Sequence, residues 1–104
     1  MISTSTKNAN TPAVIAGNGS SAVTVLAANE ARIGFSIQNV GTTAAKICLG
    51  TATTDVFHFV LKGGSGDNDG NGGSVTFSSG TVYNGIITVF GASTAKLVAL
   101  EMAP

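Results

Sequence analysis

The sequence predicts an all-β protein: an antiparallel β-sandwich, jelly-roll-like or immunoglobulin-like, of seven or eight short strands. Three observations carry that expectation. Apolar residues recur with a period of two, most cleanly where Ile33, Phe35 and Ile37 alternate with Gly34, Ser36 and Gln38. Glycine and asparagine turns punctuate the chain at intervals of about 8–12 residues. No window carries an apolar stripe at helical spacing with caps at its ends.

In chain order, residues 1–11 are almost all Ser, Thr, Asn and Lys after the first two, and bury too little apolar area to order themselves. They read as a flexible N-terminal arm before one domain, 12–104. Strands are expected at 22–26, 32–39, 46–49, 56–61, 74–78, 85–90 and 95–102, with Ile47 and Leu49 inward in the third. The breaks between them, such as Asn39-Val40-Gly41-Thr42 and Tyr83-Asn84-Gly85, supply positive φ cheaply.

Three of these strands are apolar on both faces. In 56–61, Phe57, Phe59 and Leu61 share one face, while Val56 and Val60 flank His58 on the other. In 86–90, Ile87 and Val89 oppose Ile86 and Phe90, and 97–100 behaves similarly. One face of a sandwich strand meets water, so a second apolar face needs a cover. An arm or loop of the same chain is one candidate. Burial against another subunit is the preferred expectation, with Val56, His58, Val60, Ile86 and Phe90 as contact residues.

Composition narrows the partners. The chain has 104 residues, one domain's worth, and its 5 basic and 5 acidic side chains cancel. Lys7, Arg32, Lys46, Lys62 and Lys96 are scattered singly, so neither nucleic acid nor an anionic membrane finds a basic patch. Only 10% of residues are charged, against about a quarter in an ordinary domain, which suggests a surface partly shielded by neighbouring protein. No stretch reaches the length of a membrane span, and the start lacks the pattern of a signal peptide. Asn18-Gly19-Ser20 fits a glycosylation sequon but reads as an Asn-Gly turn.

The glycine- and aspartate-rich segment 63–74 is the one place where chemistry suggests itself. Asp67, Asp69, Asn71 and Gly72 match the first, third, fifth and sixth places of a calcium loop. The twelfth place, which needs a bidentate Glu, is Ser78, and no helices flank the loop. The expectation is therefore no metal and no cofactor, with Asp67, Asp69 and Asn71 as weak candidate ligands on a solvated hairpin loop available to a partner. Catalysis is not expected either. His58 is the lone histidine, Cys48 alternates with Ile47 and Leu49 as a space-filler, and no Gly-x-Ser-x-Gly elbow occurs. Arg32 opens the most regular strand beside Glu30. It reads either as a solvated arginine or as an anchor tying the preceding loop through a carboxylate or backbone carbonyls.

The segment Leu26–Gly41, LAANEARIGFSIQNVG, resembles a pattern found in small phage virion proteins, L-x-A-N-x-x-R-x-x-φ-x-I-x-N-x-G with φ apolar. Asn29, Arg32, Ile37, Asn39, Gly41, the Tyr83-Asn84-Gly85-Ile86 turn and the TAKLVALE terminus carry the likeness, over roughly residues 23–101. It departs from the pattern at Ala28, where a proline is common, and at the long glycine–aspartate insertion. The resemblance implies a β-sandwich, non-enzymatic structural protein: a capsid decoration or cement protein on the virion surface, made in the host cytoplasm. Its implied partners are itself, as a trimer or other homo-oligomer, and the major capsid protein or other virion proteins. Asn29, Arg32 and Asn39 would then be loop-anchoring residues. A receptor- or carbohydrate-binding tail or fibre module is the alternative, weakened by the absence of Trp and the presence of only Tyr83 as tyrosine.

Overall fold

The computed structural model describes residues 8–78 and 82–104. It is an antiparallel β-sandwich of nine strands in two sheets, with no helix among the described residues. The strands are β1 (Asn8–Ala9), β2 (Val14–Ala16), β3 (Val23–Leu26), β4 (Gly34–Asn39), β5 (Ala45–Leu49), β6 (Phe59–Leu61), β7 (Ser74–Phe77), β8 (Ile87–Phe90) and β9 (Lys96–Ala103). Sheet A runs β1-β9-β4-β7 with β2 also on β9, and sheet B runs β3-β8-β5-β6.

Period-two patterning decides which side of each strand enters the core. In β4, Phe35, Ile37 and Asn39 are buried while Ser36 and Gln38 are half-buried. The register Ile37↔Ala99 and Asn39↔Leu97 carries the same inward row onto β9. Opposite them, sheet B contributes Ile47, Val89 and Ile87, all fully buried. Removing each such aliphatic side chain from water stabilises the fold by about 1.5–3 kcal/mol, so these residues hold the sheets together.

Of the departures from the sequence expectation, three change how the chain is connected, while others add β2 or trim the starts of β4 and β8. Residues 8 and 9, assigned there to the arm, pair with β9, and Asn10 donates to the Ala99 carbonyl (3.1 Å) while accepting from Glu101 N–H (2.9 Å). Backbone pairing and one amide fix this stretch, which apolar burial alone would not. Residues 1–7 of the arm lie outside the described residues. The strand expected at 56–61 keeps only Phe59–Leu61, because 50–58 folds over the sheet instead of extending along it. The segment 63–74 is no hairpin: β6 pairs with β5 in sheet B and β7 with β4 in sheet A, so it crosses between the layers.

Candidate functional site: an apolar outer face above a tied core

Two groups of side chains distinguish this sandwich. The first is the outward face of sheet B, where Lys46 stands between Val60 of β6 and Phe90 of β8. The adjoining segment folds onto this face through a polar clamp. Thr88, buried in β8, donates its hydroxyl to the Gly50 carbonyl (2.7 Å) and accepts from Ala52 N–H (2.8 Å). Ala52 and Cys48 are consequently buried. Thr53 then closes a turn by accepting from Val56 N–H (3.0 Å) and donating its own N–H to the Val56 carbonyl (3.0 Å). Lys46 reaches over the Phe57 ring (5.1 Å to its centre) and donates to the Thr54 carbonyl (2.6 Å).

Part of the second apolar face is therefore covered by the chain's own 50–58 segment. What stays open is the rim around it: Val56 is 54%, Val60 53% and Phe57 40% exposed. Phe90 is half-buried beside them. His58 is exposed; its N–H donates to the Ile47 carbonyl (2.8 Å) and its Nδ1 accepts from Leu49 N–H (3.0 Å). The imidazole thus ends the β5–β6 ladder by replacing its next acceptor. Ile86, 37% exposed, begins the same outward row of β8, with Thr88 and its Ala52 clamp separating it from Phe90. Val60, Phe90 and Phe57 therefore gather around Lys46, with Val56 next to Phe57 in the chain, while Ile86 stands apart. Phe57 belongs to this patch, although strand alternation had placed it on the inner face with Phe59. The turn closed by Thr53 rotates it out of that register, and Thr53-Thr54-Asp55 was the available signal.

The second group is polar and lies between the sheets. Arg32 is 3% exposed. Its Nε donates to Glu101 Oε2 (2.8 Å), Nη1 to the Tyr83 and Gly85 carbonyls (2.8 and 3.0 Å), and Nη2 to the Ala27 carbonyl (2.7 Å). The guanidinium also sits 5.7 Å from the Phe35 ring centre. Its carboxylate partner is Glu101 of β9, not the neighbouring Glu30. Asn29 donates to Glu101 Oε1 (3.3 Å) and caps Ala31 N–H (3.0 Å). Asn84 completes the cluster by donating to the carbonyls of Asn29 and Arg32 (both 3.0 Å). Asn39, 1% exposed, donates to the Thr43 and Leu61 carbonyls (2.8 and 3.0 Å) and accepts from Gly41 N–H (3.0 Å). Leu61 belongs to sheet B, so Asn39 bridges the layers. Every donor of Arg32 that contacts protein meets a carbonyl or carboxylate, an arrangement that fixes loops and offers no reactive group.

The three weak metal candidates are each engaged by groups of the protein itself. Asp67 pairs with Lys96 (2.8 Å). Asp69 accepts from the N–H groups of Ser65, Gly66 and Asn71 (2.8–2.9 Å). Those bonds, that from Asn71 foremost, hold its carboxyl below the usual carboxylate range. Among the described residues no three His, Cys, Asp or Glu side chains gather as a metal would require. Tyr83 is half-buried and its hydroxyl donates to the Ile86 carbonyl (3.0 Å), which leaves its ring a packing element of the core rim rather than a free platform. No protein-family model, no curated protein and no solved structure matches this chain.

Proposed function

We propose that this protein is a structural component of a virus particle, a head decoration or cement protein that self-associates and docks on the capsid lattice through the outward face of sheet B. The observation that carries the reading is the apolar rim of Phe57 and Val60, both exposed and both beside Lys46, with the exposed Val56 next to Phe57 in the chain. Isolated exposed apolar residues are ordinary, but a contiguous group beside polar strand positions favours a protein contact. The phage-like pattern of Leu26–Gly41 and the low charge of the chain support the same reading. Binding would act by mass action: a protein that adheres only to the assembled shell stabilises that shell against disassembly.

The test is co-sedimentation with capsid shells of the virus that encodes the chain. The wild type should pellet with shells, and Val60→Asp should stay in the supernatant while melting within a few degrees of the wild type. Val60 is exposed on a sheet edge, so the substitution costs the fold about 1 kcal/mol or less. Wild-type protein that fails to pellet, or a Val60→Asp variant that pellets equally, sinks the proposal.

A further inference from the structure

Both sheets end on the same side of the sandwich, at β6 and β7, and this seam is unfinished. Phe77 points inward from β7 against Phe35 and Phe59 (ring centres 5.1 and 6.0 Å apart), yet remains 37% exposed. The backbone of β7 is half-used as well. Asn39 N–H donates to the Gly73 carbonyl (2.9 Å), and the register Ile37↔Val75 and Phe35↔Phe77 continues from that pair. Alternation along an antiparallel ladder therefore directs the N–H and C=O groups of Val75 and Phe77 toward β4, together with the Gly73 carbonyl, while the Gly73 N–H donates to the Lys62 carbonyl (2.7 Å). Those of Ser74, Thr76 and Ser78 face the opposite way, where no backbone group among the described residues meets them.

Protected edges are usually interrupted by a charge, a proline or a bulge. Ser74-Val75-Thr76-Phe77-Ser78 has no charge and no proline, and its pairing with β4 shows no register shift. Its residues suit an extended strand. The edge is also complementary to itself. An antiparallel copy related by a two-fold axis at Thr76 sets Thr76 opposite Thr76 and Ser74 opposite Ser78, the residues whose backbone groups are free. Residues at even separation share a face, so hydroxyls meet on the outer side. On the inner side Val75 of one copy falls opposite Phe77 of the other, covering the exposed ring.

We propose that β7 is a self-pairing edge, on which a second copy of this chain adds its own β7 to make sheet A continuous across a two-fold seam. The inference takes self-association from the proposed function and names the contact; it leaves the docking face of sheet B free on both copies. The seam is a two-fold contact, where the phage-like resemblance implied a trimer.

Sedimentation velocity over a concentration series tests it. The wild type should shift with concentration toward twice the mass of one chain. Thr76→Pro removes the central free N–H and the exposed hydroxyl bond to Ser36 (2.8 Å) but leaves the backbone bonds to β4 in place, and proline is tolerated at such a position; this variant should stay at the mass of one chain. Ser74→Lys with Ser78→Lys should also stay single through like-charge pairing across the seam, while Ser74→Lys with Ser78→Glu should regain the wild-type shift. Val60→Asp should dimerise as the wild type does. A wild type of single-chain mass throughout, a Thr76→Pro variant that associates equally, or a three-chain species indifferent to the lysine pair each overturns the seam. Shell co-sedimentation by Thr76→Pro, read separately, decides the docking reading.

Discussion

Arg32 is the residue whose removal the fold tolerates least for reasons other than volume. Its side chain is fully buried and paired with Glu101, which is 17% exposed. Three main-chain carbonyls, of Ala27, Tyr83 and Gly85, also depend on it. Taking away one partner of a buried pair leaves an uncompensated charge and unpaired acceptors, at a cost of about 3–5 kcal/mol. Arg32→Ala is therefore expected to lose that much stability in urea unfolding, a large share of the about 5–15 kcal/mol typical of a domain. Arg32→Lys should recover only part, since a point charge with three donors cannot reproduce a fork serving carbonyls on two loops. Asn39→Ala should cost less, about 1–3 kcal/mol, because neutral groups are left unpaired. An Arg32→Ala loss below that of Asn39→Ala would refute this ranking.

Among the elements, the 63–74 segment shows how a glycine-rich stretch becomes ordered. Asn68 sits at a φ of 59° and donates its N–H to the Val40 carbonyl (2.8 Å), while Gly64 donates to Gly41 (2.9 Å). At Gly72 a Cβ would collide with the Asn39 carbonyl, so the crossing from sheet B to sheet A requires glycine there. Asp69 closes the loop tip with three amide bonds that need its ionised form. A carboxyl depressed in the folded protein contributes stability above its unfolded pKa of about 3.9, and that contribution is lost as pH falls through the lower folded value. The amide resonances of Ser65, Gly66 and Asn71 should titrate together with a midpoint below about 3.9, and Asp69→Asn should abolish the titration. A midpoint at or above the ordinary value would contradict the capped tip.

The same segment marks where sequence reading stops. The alternation of Ile33–Gln38 and of Ile47 and Leu49 was legible because period two depends only on which face is buried, and Arg32 was legible as a possible anchor from its place at a strand start. Strand order was not, because loop composition does not record which sheet the next strand joins. Glu101 was missed as the partner of Arg32 for the same reason: 69 residues separate them, and only the β4–β9 register brings them together. Phe57 misled because a run of alternating apolar residues looks like a strand until hydroxyl-capped turns interrupt it. The pairing of Asn8–Ala9 with β9 was hidden because polar backbone bonding leaves no hydrophobic pattern, and that of Val14–Ala16 because an apolar run of 3 residues is too short to show a period.

On the scale of the whole molecule, the two sheets are tied at both ends of the core. Arg32, at the foot of β4, holds the loop before β8 through Tyr83 and Gly85, and holds β9 through Glu101. Asn39, at the head of β4, holds Leu61 of sheet B. Between them Ile37 and Leu97 of sheet A face Ile47, Ile87 and Val89 of sheet B, all fully buried. Neither sheet can open without exposing the other's apolar face and stranding those polar groups, so the layers should unfold as one unit. In native-state hydrogen exchange, the ladder amides of the central strands β4 and β9 should share one opening free energy with those of β5 and β8. Edge amides at β1 and β6 should exchange faster, since each strand is paired on one side only and is two or three residues long. Because unfolding is predicted to be global, Arg32→Ala and Asn39→Ala should each lower protection equally in both sheets, although Arg32 precedes β4 and Asn39 ends it, both on the side of sheet A. Protection that falls in one sheet while the other keeps its wild-type value would show that the layers are separate cooperative units and that the polar ties do not couple them.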